Sequence, residues 1–191
     1  MSSVDRSDRT SPLPYILALL FVVAMVAVAW WGRDQYEPVI AGEPAPDFVA
    51  STFDGETRTL EDYEGRVILL NVWATWCAPC RWEMPSMQRL AEELEGTDFQ
   101  VVAVSVDAAS EGSVGWGGNV GGDVAGFVDE YGLTFEVLRD PSGRIADTYQ
   151  TTGLPESFLI GRDGVIYKKV AGGTEWDAEQ YVEQIQRLLG S

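Results

Sequence analysis

The hydrophobic pattern of this chain divides it at once into two parts. Tyr15 to Trp31 is an unbroken apolar run of 17 residues, and no charged residue occurs from Thr10 to Gly32. A helix of that length reaches across about 30 Å of hydrocarbon, with Trp30 and Trp31 suited to an interface. Residues 13–32 are therefore expected to be a transmembrane anchor, preceded by a short tail, 1–12. Arg6 and Arg9 lie before the run and only Arg33 lies after it until Arg58, a bias that places the tail in the cytoplasm and the remainder outside. Ala27-Val28-Ala29 has the small-x-small form of a cleavage site, so a removed signal peptide is the alternative.

Beyond the run the pattern changes. Residues 33–46 are polar, carry Pro38, Pro44 and Pro46, and read as a linker to a domain over 47–191. Asp54-Gly55 predicts a small hairpin. Val67 to Trp73 is a near-continuous apolar stretch, as in a strand buried on both faces. Met87, Leu90, Ala91 and Leu94 then recur at helical spacing, with Pro85 inside the segment and Gly96 at its end. Phe99 to Val106 predicts a second buried strand, and so a β-α-β unit. Val124, Phe127, Val128 and Tyr131 mark another helix, stopping at Gly132, followed by a short strand, Phe135 to Leu138. Ser157 to Ile160 and Val165 to Val170 flank Arg162-Asp163-Gly164 as an antiparallel hairpin. A last helix is expected from a capping box, Thr174 with Asp177, burying Tyr181, Val182, Ile185, Leu188 and Leu189. The predicted class is α/β, a central mixed sheet flanked by helices. Gly112 to Gly126 holds seven glycines and reads as a mobile surface loop, or as a docking loop anchored by Trp116.

Charge excludes one class of partner. The chain has 13 basic and 30 acidic residues, a net −17, which opposes non-specific binding of nucleic acid. Sulfur chemistry is confined to one turn, because the two cysteines both lie in Trp76-Cys77-Ala78-Pro79-Cys80. Without histidine or a third cysteine, a four-ligand zinc site within the chain is excluded. A purely structural bridge across so short a loop removes little unfolded-state entropy. A strand leading in and a helix leading out place Cys77 at a helix N-terminus, where the dipole and free N–H groups favour the attacking thiolate. The motif therefore reads as a dithiol/disulfide exchanger.

Strand, W-C-x-x-C, helix, strand and then Gly153-Leu154-Pro155 before a hairpin resembles the thioredoxin fold. Pro44-Ala45-Pro46-Asp47-Phe48, Leu70 to Arg81, Glu83 with Pro85, and Gly153 to Ile160 resemble more narrowly the membrane-anchored TlpA/ResA/CcmG (DsbE) branch. The resemblance implies a thioredoxin-like fold with an N-terminal hairpin extension, Cys77 as exposed nucleophile, Cys80 as buried resolving thiol, and Pro155 as a cis-proline facing them. It also implies that Trp76 and Leu154 contact the substrate, Leu154 through its backbone. Thioredoxins carry a buried Asp where this chain has Asn71. Glu83, three residues after Cys80 on the same helix face, is the expected replacement, exchanging a proton with the Cys80 thiol; a solvated Glu is the plainer alternative. Arg81 is expected to lower the Cys77 pKa weakly.

By the same resemblance the expected function is extracytoplasmic reduction of apocytochrome c haem-site cysteines, with electrons from a CcdA/DsbD-like membrane donor and no metal, haem or flavin cofactor. A general oxidase or isomerase for secreted proteins is one alternative. Another is a peroxide-reducing redoxin, suggested by Pro46-Asp47-Phe48, and a third is a non-catalytic adaptor.

Overall fold

The computed structural model describes residues 13–31 and 39–190, with side chains placed for 13–27 and 39–190. The expected tail, Arg33 and residues 34–38 of the expected linker lie outside the described residues. So do the side chains of Trp30 and Trp31 and the later part of the cleavage motif. The chain divides into two units, 1–38 and 39–191.

In the first unit, α1 is a helix over Leu13–Trp31 with no acidic residue in its first turn and no basic residue in its last. Among the described residues, no helix is long and apolar enough to cross a membrane.

The second unit carries the other elements. These are β1 (Val49–Ser51), β2 (Thr57–Thr59), β3 (Val67–Trp73), α2 (Ala78–Glu93), β4 (Phe99–Ser105), α3 (Val124–Tyr131), β5 (Glu136–Arg139), α4 (Arg144–Thr148), β6 (Glu156–Ile160), β7 (Ile166–Ala171) and α5 (Glu179–Leu189). They build one seven-stranded sheet in the order β2-β1-β5-β4-β3-β6-β7. The strands β3, β4 and β5 are parallel, whereas β6 and β7 run antiparallel beside β3. The hairpin β1-β2 joins the other edge through β5. This is the expected mixed thioredoxin-like sheet with its N-terminal hairpin.

Every residue of β3 is buried, which explains its continuous apolar sequence: helices cover both faces. On one face Asn71 meets Glu83 of α2, and Lys168 of β7 lies over the Tyr181 ring of α5 at 4.7 Å. On the other, Phe158 packs edge-on against Tyr149 at the end of α4, and the Tyr149 hydroxyl donates to the Pro46 carbonyl at 2.6 Å.

Two expectations are corrected. The linker does not extend to residue 46, because Gly42, Glu43 and Ala45 exchange backbone hydrogen bonds with the 164–166 segment and Val39 is buried. Asp47, the middle residue of Pro46-Asp47-Phe48, accepts from the N–H groups of Phe48 and Leu60 and thereby braces the hairpin. The last helix begins at Glu179 with Ala178 as its cap. The Thr174 N–H bonds instead to Glu83 and Asp177 pairs with Arg89, so both supposed capping residues are engaged by α2.

The glycine loop is also built differently from a free surface loop. Val114 and Val120 bridge in antiparallel fashion, and Gly121 donates to the Ser113 carbonyl at 2.9 Å. The half-buried ring of Trp116 lies on Gly143.

Candidate active site

The site grows from the end of β3. Past Trp73 the chain turns, with Cys77 N–H donating to the Ala74 carbonyl at 3.2 Å, and enters α2 with Cys77 as its N-cap. The Cys77 sulfur accepts the Cys80 N–H at 3.2 Å, the place an oxygen takes in an ordinary cap. Pro79 fits the first turn because its missing N–H has no partner to lose there. No acidic side chain occupies that turn, so no carboxylate at the helix start opposes a thiolate at Cys77.

Cys77 and Cys80 form a disulfide at a sequence separation of 3. Cys77 keeps 5% of its surface and Cys80 none. The expected asymmetry is present, but Cys77 is far less exposed than a free surface thiol. Arg81 is directed elsewhere: its guanidinium lies 5.6 Å from the Phe127 ring centre and 5.8 Å from that of Tyr131.

Glu83 is fully buried. Its Oε1 accepts from Asn71 Nδ2 at 2.8 Å and its Oε2 from the Thr174 N–H at 3.1 Å. Burial pushes its pKa up to about 7, against the lowering effect of these two donors and of the Trp176 indole N–H. That N–H lies within electrostatic reach without closing a hydrogen bond. The solvated alternative for Glu83 is thus removed. Asn71 also donates to Ser157 Oγ at 2.8 Å, which links β3, α2 and β6 beneath the dithiol.

The Leu154-Pro155 bond is cis. Pro155 is buried and Leu154 half-buried. Since Val72 pairs with Glu156, residues 154–155 lie at the same end of the sheet as the turn after β3. Among the described residues, neither the N–H nor the C=O of Leu154 has a hydrogen-bond partner. Trp76 is half-buried and packs on the core.

Residues 172–177 form a strap along α2 that the sequence did not reveal. Thr174 is held by Glu83, Ser86 Oγ accepts the Trp176 N–H at 3.0 Å, and Arg89 pairs with Asp177. Their spacing of three on α2 puts Glu83, Ser86 and Arg89 on one face. Gly173 passes so close that an added Cβ would stand 3.0 Å from the Pro79 carbonyl oxygen and 3.1 Å from the Trp82 ring. Gly173→Ala is therefore expected to displace the Cys77-Cys80 turn and to cost about 1–3 kcal/mol. Urea unfolding of parent and variant, both oxidised, measures the loss; equal midpoints would refute the close fit.

Among the described residues, no group of three or more His, Cys, Asp or Glu is placed to hold a metal ion.

Residues 41–169 match the AhpC/TSA family. The thiol-disulfide oxidoreductase ResA of Oceanobacillus iheyensis is 34% identical over 175 residues, covering 89% of this chain and 85% of that protein. The thioredoxin-like protein YneN of Bacillus subtilis is 36% identical over 155 residues, covering 78% and 85%. A crystal structure from Chlorobium tepidum, described as a thiol:disulfide interchange protein DsbE, superposes with a TM-score of 0.67 at 35% identity, covering 78% of this chain and 98% of that one.

Proposed function

This chain belongs to the AhpC/TSA family as a thiol-disulfide oxidoreductase of the ResA type, and we propose that it is a membrane-held reductant of apocytochrome c haem-site cysteines on the extracytoplasmic side. The observation that carries the reading is that Cys77 caps α2 while Cys80 and, three residues further on the same helix, Glu83 are buried in it, the Glu83 carboxyl pushed up to about 7 by that burial. In the reducing direction the Cys77 thiolate attacks a substrate disulfide, forming a mixed disulfide and releasing one substrate thiolate. Cys80, its proton passed to Glu83, attacks Cys77 and releases the second; the Cys77-Cys80 disulfide is left oxidised. Two electrons must then return from a membrane thiol donor of the CcdA/DsbD kind. No resident cofactor takes part.

The unpaired backbone of Leu154 supports binding of the substrate as an added strand beside the dithiol. Trp76 shapes the approach. Anchoring through residues 13–32 rests on the sequence alone, apolar from Tyr15 to Trp31 and uncharged from Thr10 to Gly32.

A Cys80→Ser protein expressed in its own cell tests the whole reading. Apocytochrome c is expected on Cys77 as a mixed disulfide, in the membrane fraction. A broad set of secreted proteins on Cys77 would favour the oxidase or isomerase alternative, and turnover with hydrogen peroxide would favour the redoxin.

A further inference from the structure

Asp107, just past β4, is 1% exposed, and among the described residues no cation pairs with it. A buried carboxylate without a countercharge must be held by hydrogen bonds. Four donors meet it. Its Oδ2 accepts the Thr75 N–H and the Ser105 hydroxyl, both at 2.8 Å. Its Oδ1 accepts the Thr75 hydroxyl at 2.6 Å and the Gly122 N–H at 3.0 Å. An ionised Asp accepts at both oxygens, whereas Asn of the same shape would turn an NH2 group toward two of these donors.

These bonds converge on the residue two before Cys77. Both the backbone and the side chain of Thr75 are fixed, and the turn Ala74 to Cys77 hangs from it. Gly122 closes the far side of the cluster. A Cβ there would stand 2.3 Å from Thr75 Oγ1, so only glycine brings the loop down onto Thr75.

We propose that Asp107 is a positioning residue for exchange at Cys77, and that through it the glycine loop is joined to the active-site turn. The carboxylate acts through Thr75: it sets where the Cys77 sulfur sits relative to the first N–H groups of α2, and so the ease with which the thiolate forms. The inference rests on Cys77 being the attacking thiol.

The test uses the full chain in its reduced form, with iodoacetamide alkylation of each cysteine followed across pH by mass spectrometry, and insulin reduction measured beside it. Asp107→Asn and Thr75→Val are expected to lower the Cys77 rate about tenfold, as the loss of one buried acceptor or donor implies, and to move its apparent pKa. Thr75→Ser, which keeps the hydroxyl, restores most of the rate, and Gly122→Ala lowers it. Folded Asp107→Asn and Thr75→Val proteins with the parent's rates and pH profile would overturn the proposal. If Asp107→Asn does not fold, the Thr75 pair decides: a Val variant as fast as the parent, or a Ser variant as slow as Val, overturns it. A parent in which Cys80 reacts as fast as Cys77 would instead overturn the assignment of the attacking thiol.

Discussion

Replacing Cys77 by Ser is expected to bring insulin reduction down to the uncatalysed background, while Cys80→Ser keeps the first attack and stalls as a mixed disulfide. The asymmetry follows from position. Cys77 alone retains any exposed surface, and its sulfur accepts the Cys80 N–H at the start of a 16-residue helix. That hydrogen bond and the helix dipole favour the thiolate there. Cys80 is sealed beneath it and reaches only what Cys77 has captured. Stability separates chemistry from folding. Opening a loop this short costs about 2 kcal/mol in the chain-entropy account, so both variants should unfold like the reduced parent and below the oxidised one. Mass spectrometry of each variant after incubation with an oxidised peptide checks the step. Adduct formation on the Cys77→Ser protein at the rate of the Cys80→Ser protein would reverse the two roles.

What was readable from the sequence is what local signals encode. The strand β3 was visible because both its faces are covered, leaving seven consecutive buried positions, and the end of α3 because Gly132 adopts the left-handed conformation of a helix stop. Cys77, Cys80 and Glu83 were readable because three residues of helix put them together whatever the rest of the chain does. The start of α5 was misread for the opposite reason: Thr174 and Asp177 have a capping pattern, but α2 offers them Glu83 and Arg89, and tertiary partners outcompete the local cap. The five residues of α4 are too few to show a period. Asp107 was missed because its donors come from positions 75, 105 and 122, and no spacing rule joins them. The close approach of Gly173 to Pro79 likewise joins segments far apart in the chain.

Glu83→Gln should slow release of the mixed disulfide roughly a hundredfold, the scale of a lost proton acceptor, and should erase an inflection near pH 7 in that step. The buried carboxylate has its pKa raised from 4.5 to about 7, so it is half ionised near neutrality and is a stronger base for the Cys80 proton than an ordinary Glu. Stability gives an independent sign. Because the folded state holds this proton more tightly than the unfolded state, the contribution of Glu83 is fully present below pH 4.5 and is lost as pH rises through about 7. The span corresponds to ~3 kcal/mol. The glutamine variant lacks this titration, so its stability relative to the parent should rise over that window and level off above it. Turning the Asn71 amide over lets its Oδ1, which has no partner in the parent, accept from the new Gln nitrogen and from the Ser157 hydroxyl. The Asn71 NH2 group is then left buried without an acceptor, so a constant stability loss of about 1–3 kcal/mol is expected beside the pH-dependent change. Urea titrations at pH 5 and pH 8, read together with single-turnover release from a Cys77-linked peptide, check both effects. A variant with the parent's pH profile in both measurements would show that Glu83 neither titrates near 7 nor serves the Cys80 thiol.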